Sequence, residues 1–331
     1  MEVVEFHGRV MASRLHIIAV EATGSRARSS LDAAVRGAAA LLDELERRWS
    51  RFIESSDVSR INRLAPTGGT IRVDPSTLWL LATMVEGHAV TAGRFDPTVL
   101  RSVIAAGYDV SWVDPRHSCA PVPGEPPSST SQPSIAATLY DVELNPSTDS
   151  VTVPPGLVLD PGGIGKGLAA DLAVANLLDA GVDGAMVEIG GDLAFAGTPV
   201  DPIGWLVQVE RPDPADGVLC SLAVSGGGVA TSSVRSRRWV RDGIERHHQI
   251  DPLTAACSTT DLSTVTVIAP SGWLAEVHAT AALGAGADNV IAYLDAHGLS
   301  GIAVETTSSG ERVRVTGDLQ GLDLNTGSGV R

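Results

Sequence analysis

Residues 157–198, LVLDPGGIGKGLAADLAVANLLDAGV followed by DGAMVEIGGDLAFAGT, constrain the fold more than any other stretch. An apolar run ends at Asp160, a glycine-rich turn follows, and an Ala/Leu run extends from about Lys166 to Gly181. A second apolar run is then broken at Gly190, Gly191 and Asp192. The pattern reads as strand, turn, helix and a further strand. Such alternation needs a sheet against which helices bury one face, which sets the class as mixed α/β (α+β). The rest of the chain agrees. Residues 8–21 are rich in β-branched side chains and read as a strand. Residues 31–49 place Leu31, Val35, Leu41, Leu42 and Leu45 at helical spacing. Residues 75–92 form a helix led by Pro75 and Ser76 and stopped at Gly93. Residues 205–211, 218–224 and 261–269 read as strands, and 273–284 and 287–297 as a last helical pair. Residues 116–134 are dense in Pro and Ser and predict a flexible surface excursion. The expected organisation is one domain over 1–316, interrupted by that excursion, with a polar, frayed tail over 317–331.

Charge narrows the functional classes. Lys and Arg number 24 against 39 Asp and Glu, a formal net charge of −15. A phosphate backbone repels such a chain, so no nucleic-acid partner is expected. No apolar run approaches the roughly 20 residues that cross a bilayer, so no membrane insertion is expected either. Cys119, Cys220 and Cys257 are too scattered for a disulfide framework or a CxxC metal site. The opening residues include Glu2 and Glu5 and lack a basic start followed by a long apolar stretch, which predicts a cytoplasmic location.

Several segments carry candidate chemistry, each with a structural alternative. In DPGGIGKG (160–167), glycines let backbone amides approach a ligand ahead of a helix N-terminus, and Lys166 adds a cation for a phosphate. The same residues also suit a tight turn with a solvated lysine, and neither a Walker A nor a GxGxxG pattern is present. Asp192 after two glycines either meets a ligand or closes a β-hairpin. Asp96 in FDPTV (95–99) sits in a Pro-bounded turn, where it either meets a ligand or only caps the turn. SSDVSRIN (55–62) reads as a helix start capped by Ser or Asp. His247 and His248 supply a base, a metal ligand or a surface pair. Glu276 and Thr280 lie four apart on one helical face, where a carboxylate and a hydroxyl suit a hard cation.

Taken in order, Met11-Ala12-Ser13, SSDVSRIN, FDPTV, DPGGIGKGLAAD (160–171), IGGD (189–192), HQIDPLT (248–254) and AEVHAT (275–280) resemble the motifs of the ApbE family. These are the FAD:protein FMN transferases, or flavin transferases. The resemblance spans almost the whole chain and implies a T-fold-like flavin transferase architecture. It implies Mg²⁺-dependent transfer of FMN from FAD to a Thr or Ser hydroxyl of an acceptor protein, with AMP leaving. Position by position, Met11, Phe52, Arg94, Phe95, Asp96, Asp160, Lys166 and Ile250 match residues that line FAD. Gly163, through its carbonyl, and Glu276 and Thr280 match metal ligands. His248 matches the histidine that activates the acceptor hydroxyl. This chain departs from the family pattern in several places. Glu276 replaces an aspartate, Ala255 a glycine and Phe52 a tyrosine, Pro161 stands for Leu, and Met-Gly-Thr has become Met-Ala-Ser.

Two other classes stay open at this level. One is an FAD-binding protein of the same fold without transfer, a flavin carrier or an FAD pyrophosphatase. The other is a non-enzymatic scaffold that uses Arg235-Ser236-Arg237-Arg238 as a partner site. The sequence also leaves a homodimer open.

Overall fold

The computed structural model describes residues 1–21, 28–111 and 138–324. The expected excursion at 116–134 lies outside them. At the centre is an eight-stranded sheet whose strands neighbour one another in chain order. They are β1 (Glu2–Val10), β2 (Ser13–Glu21), β3 (Gly184–Ile189), β4 (Asp192–Gly197), β5 (Gly227–Ser233), β6 (Leu262–Ala269), β7 (Ser300–Thr307) and β8 (Gly310–Val315). Every pairing is antiparallel. Among the described residues the helices are α1 (Arg28–Trp49), α2 (Asp57–Asn62), α3 (Pro75–Val90), α4 (Leu100–Ala106), α5 (Gly165–Asp179), α6 (Gly272–Ala285) and α7 (Val290–Ala296).

Period-two alternation in the strands explains the layering. Leu15, Ile17 and Ala19 of β2, with Ala185, Val187 and Ile189 of β3, face a core shared with Leu31, Val35, Leu42 and Leu45 of α1 and Leu168 and Leu177 of α5. Met186, Leu193 and Phe195 face the other way and meet Trp205, Val207, Leu219 and Leu222 of the hairpin 205–224. Helices therefore cover one face, and a two-stranded ribbon covers the middle of the other.

Three local expectations are corrected. The single strand expected over 8–21 is a hairpin, because Met11 and Ala12 both adopt positive φ and turn the chain between Val10 and Ser13. This is the twist that a two-residue hairpin turn demands. The strand expected to end at Asp160 does not form. Residues 157–160 run without a strand partner, and the Asn62 side chain takes over that role. Asn62 Nδ2 donates to the Leu159 carbonyl at 2.9 Å, and its Oδ1 accepts from the Leu159 amide at 2.7 Å. The start of the tail, expected to fray, forms a short 3-10 turn at Gly317–Leu319. Leu319, Leu322 and Leu324 pack on the core under the ribbon, since apolar residues three and two apart share one side of the chain.

Candidate active site

The glycine turn, the hairpins and α6 converge because backbone and side-chain bonds tie their loops together. Ser56 caps α2, accepting from the Ser59 amide at 3.0 Å. Asp96 Oδ1 accepts from the Thr98 amide at 2.8 Å and from its hydroxyl at 2.7 Å, fixing the FDPTV loop. The Pro97 carbonyl in that loop accepts from the Asp160 amide at 2.7 Å and so docks it on the DPGG turn. Asp160 is held further: its Oδ1 accepts from the Gly162 amide at 2.9 Å. Its other oxygen lies 3.4 Å from Arg51 Nε in a buried pair. The Arg51 guanidinium lies 4.1 Å from the Phe52 ring centroid and 4.7 Å from that of Tyr108.

Helices α5 and α6 are locked through Asp171. Its two carboxylate oxygens accept from the amides of Gly272 and Trp273 at 2.8 and 2.9 Å, the first turn of α6. Burial pushes the Asp171 carboxyl up to about 6, although these two amides pull it down. Close backbone approach makes the junction possible. A Cβ on Gly167 would stand 2.4 Å from the Gly272 carbonyl oxygen.

That lock places Glu276 beside the start of α5. Glu276 is 4% exposed. Its Oε2 accepts from the Gly167 amide at 2.8 Å, and its Oε1 accepts from Lys166 Nζ at 2.9 Å. Lys166 also pairs with Asp192, which is 2% exposed. The lysine is therefore not a solvated side chain. Asp192 closes the β3–β4 hairpin through Gly190 and Gly191, both at positive φ, and points to the helix side of the sheet. The two roles weighed for it are compatible. Thr280 Oγ1 lies 3.1 Å from Ser232 Oγ, and a Cβ on Gly163 would lie 3.6 Å from Thr280 Oγ1. The glycine turn and the Glu276–Thr280 face of α6 thus look at each other.

One cavity of about 690 Å³ joins these groups, within the size range of small-molecule sites. It is lined by Met11, Phe52, Arg94, Phe95, Asp96, Asp160, Gly163, Lys166, His248, Ile250, Glu276 and Thr280, so every candidate residue reaches the same space. His248 keeps surface toward the cavity but sits deep in the protein. Burial lowers its pKa to about 3, and the charges of Arg237, His247 and Lys166 push the same way. His248 Nε2 lies 3.3 Å from Gln249 Nε2, and its Nδ1 has no partner of hydrogen-bonding geometry among the described residues. His247 instead turns its Nε2 to the Ser258 carbonyl at 3.1 Å, a structural role.

Sequence reasoning missed Arg51, Tyr108 and Ser232, which also line the cavity. Single residues in loops or strands carry no periodicity to reveal them. The basic run 235–238 is a partner surface only in the alternative scaffold reading. Ser236 and Arg237 line the cavity, and Arg238 pairs with Glu245.

The sequence profile of the ApbE family matches residues 11–303. The chain belongs to the ApbE family. Among its relatives is the FAD:protein FMN transferase of Haemophilus influenzae, 22% identical over 316 residues, which cover 93% of this chain and 88% of that protein. The FAD:protein FMN transferase of Vibrio cholerae is 24% identical over 271 residues, 82% of this chain and 78% of that protein. The fold is similar to that of the apo flavinyl transferase ApbE of Pseudomonas stutzeri. The TM-score is 0.76 at 25% identity, with 97% of this chain and 96% of that one covered. It is likewise similar to the ApbE protein of Thermotoga maritima, with a TM-score of 0.76 at 24% identity, covering 96% and 98% of the two chains. The mixed α/β architecture expected from the sequence is the ApbE fold.

Two departures from the ApbE pattern fall where backbone conformation matters. Ala12 and Ala255 stand in place of glycines and have φ of 60° and 54°. Both are exposed, so their methyl groups gain no packing to offset the strain. Ala255→Gly is expected to raise stability by about 1 kcal/mol. The check is the midpoint of urea unfolding, which should move up with no change in slope.

Proposed function

We propose that this protein transfers FMN from FAD to a Thr or Ser hydroxyl of an acceptor protein in the presence of Mg²⁺, releasing AMP. The observation that carries the reading is the convergence of the buried Lys166–Asp192–Glu276 centre, the glycine turn and His248 on one cavity. Arg94 and Arg237 line the same cavity and bring positive charge toward a pyrophosphate, with Lys166 held by its carboxylates at the head of α5. Phe52 and Tyr108 offer ring faces and Met11 and Ile250 apolar surface for a flavin.

The donors suit a hard divalent cation. Two buried carboxylates against one lysine leave the centre with one formal negative charge in excess. The Gly163 carbonyl, the Glu276 carboxylate and the Thr280 hydroxyl form an all-oxygen set of the kind Mg²⁺ prefers. When bound there, the ion would neutralise charge on the phosphates of FAD. His248, biased to its neutral form, accepts the proton of the acceptor hydroxyl. The hydroxyl oxygen forms a new P–O bond to the phosphorus of the FMN half. The P–O bond to the AMP phosphate breaks, and its electron pair leaves with AMP.

The test incubates the purified protein with FAD, Mg²⁺ and a candidate acceptor domain, followed by intact-mass analysis. The acceptor is expected to gain one FMN less one water, EDTA should abolish the gain, and added Mg²⁺ should restore it. Tight FAD binding with no mass gain on any of several acceptors would overturn transfer. Release of free FMN and AMP without labelling would point to a pyrophosphatase instead.

A further inference from the structure

The second candidate metal site of this molecule lies on the sheet face away from the cavity. Glu5, His7 and His16 are the one group of three or more His, Cys, Asp or Glu side chains among the described residues whose ligand atoms all approach within 4.8 Å of each other. The geometry points to a site for a borderline transition-metal ion, of which Zn²⁺ is the type, held by these three side chains.

Strand register builds the cluster. Glu5 and His7 are two apart on β1 and so share a face, and His16 of β2 is the direct cross-strand partner of His7. Opposed residues on antiparallel strands keep their Cβ atoms about 4.5–5.5 Å apart, which fixes the spacing without backbone movement. Glu188 of β3 is the cross-strand partner of His16 on its other side. This face is the one opposite α1 and α5, and the 205–224 ribbon covers it only further along, against Met186 and Phe195. His7 and Glu5 are exposed, leaving an entry path.

The ligand atoms are spaced as a metal needs them. Glu5 Oε2 lies 3.1 Å from His16 Nε2 and 3.7 Å from His7 Nε2. Ligands at about 2.0–2.1 Å on the corners of a tetrahedron stand about 3.3 Å apart, between those two values. The imidazole rings are stacked, 4.2 Å apart with an interplanar angle of 16°, so their in-plane lone pairs run side by side, and binding one ion requires the exposed His7 ring to turn about its side-chain torsions. Two imidazoles and one carboxylate form the donor set of open zinc sites, whose fourth position a water takes. Nitrogen donors separate this site from the all-oxygen set in the cavity, since Mg²⁺ does not favour them.

The test uses tag-free full-length protein, stripped with EDTA, titrated with Co²⁺ by visible absorption and with Zn²⁺ by calorimetry. One ion per chain is expected, undisturbed by excess Mg²⁺. His7→Ala and His16→Ala should each weaken binding by at least the about 10- to 100-fold known for loss of a supporting residue. Glu5→Gln should weaken it less. Circular dichroism melts of the metal-free variants verify that they fold, and Cu²⁺ electron spin resonance reports two nitrogen ligands in the wild-type chain independently of affinity. No Zn²⁺ binding by the wild type, or binding that survives His7→Ala with His16→Ala, overturns the site. Binding lost in Thr280→Val but kept in the histidine variants places the ion in the cavity and overturns it equally.

Discussion

Lys166→Met is expected to lower folding stability by about 3–5 kcal/mol and to abolish FMN transfer. The lysine is the only cation paired to Asp192 and Glu276 among the contacts described, and both carboxylates are almost fully enclosed. Removing one partner of a buried ion group leaves uncompensated charge, which is far more damaging than the net worth of the intact group. Glu276 keeps its bond from the Gly167 amide, so Asp192 bears most of the loss. A second substitution separates this electrostatic cause from simple loss of packing: Lys166→Met combined with Asp192→Asn should recover more than half of the lost stability. Urea unfolding of the three proteins decides it. A loss below about 1 kcal/mol for Lys166→Met would mean the two carboxylates do not depend on this cation.

His248→Asn is expected to slow transfer by about 10²–10⁴-fold, the usual contribution of a general base, while FAD affinity changes little. The pH profiles carry a sharper signature. In the free protein His248 is held near 3 by burial and by the positive charges of Arg237, His247 and Lys166. A base works only when unprotonated, so the rate falls as pH falls through its pKa. kcat/KM reports the free protein, and His248 should give it no acid limb above about pH 4. Bound FAD brings negative phosphates into the same cavity, which favours the protonated ring and raises the pKa. The acid limb of kcat, which reports the bound complex, should therefore lie at higher pH than that of kcat/KM. Coincident limbs, or a His248→Asn variant with full activity, would remove this histidine from the proton transfer.

The sequence by itself determined the local chemistry. Helix spacing at 31–49 and 75–92, the Ser56 cap, the Asp96 turn and the Gly190–Gly191 break are set by residues a few positions apart. Short-range sterics and hydrogen bonding are enough to specify them. The ordered motifs from Met11 to Thr280 likewise carried the family and the list of residues that meet in the cavity. The hairpin at Met11–Ala12 was missed because its turn lacks the glycine or asparagine that announces positive φ. The partner of 157–160 was missed because it is the side chain of Asn62, nearly a hundred positions away in the chain.

Only the tertiary structure decided what the charged residues do. Lys166 is joined to a carboxylate 26 positions away and another 110 away, and Asp171 docks a helix start 101 positions further on. Such pairings depend on how sheet register and helix packing bring distant segments together, and burial then sets their energy. The pairing of His7 with His16 across β1 and β2 has the same origin: alternation gives each residue its face, but the register that opposes them exists only once the strands are paired.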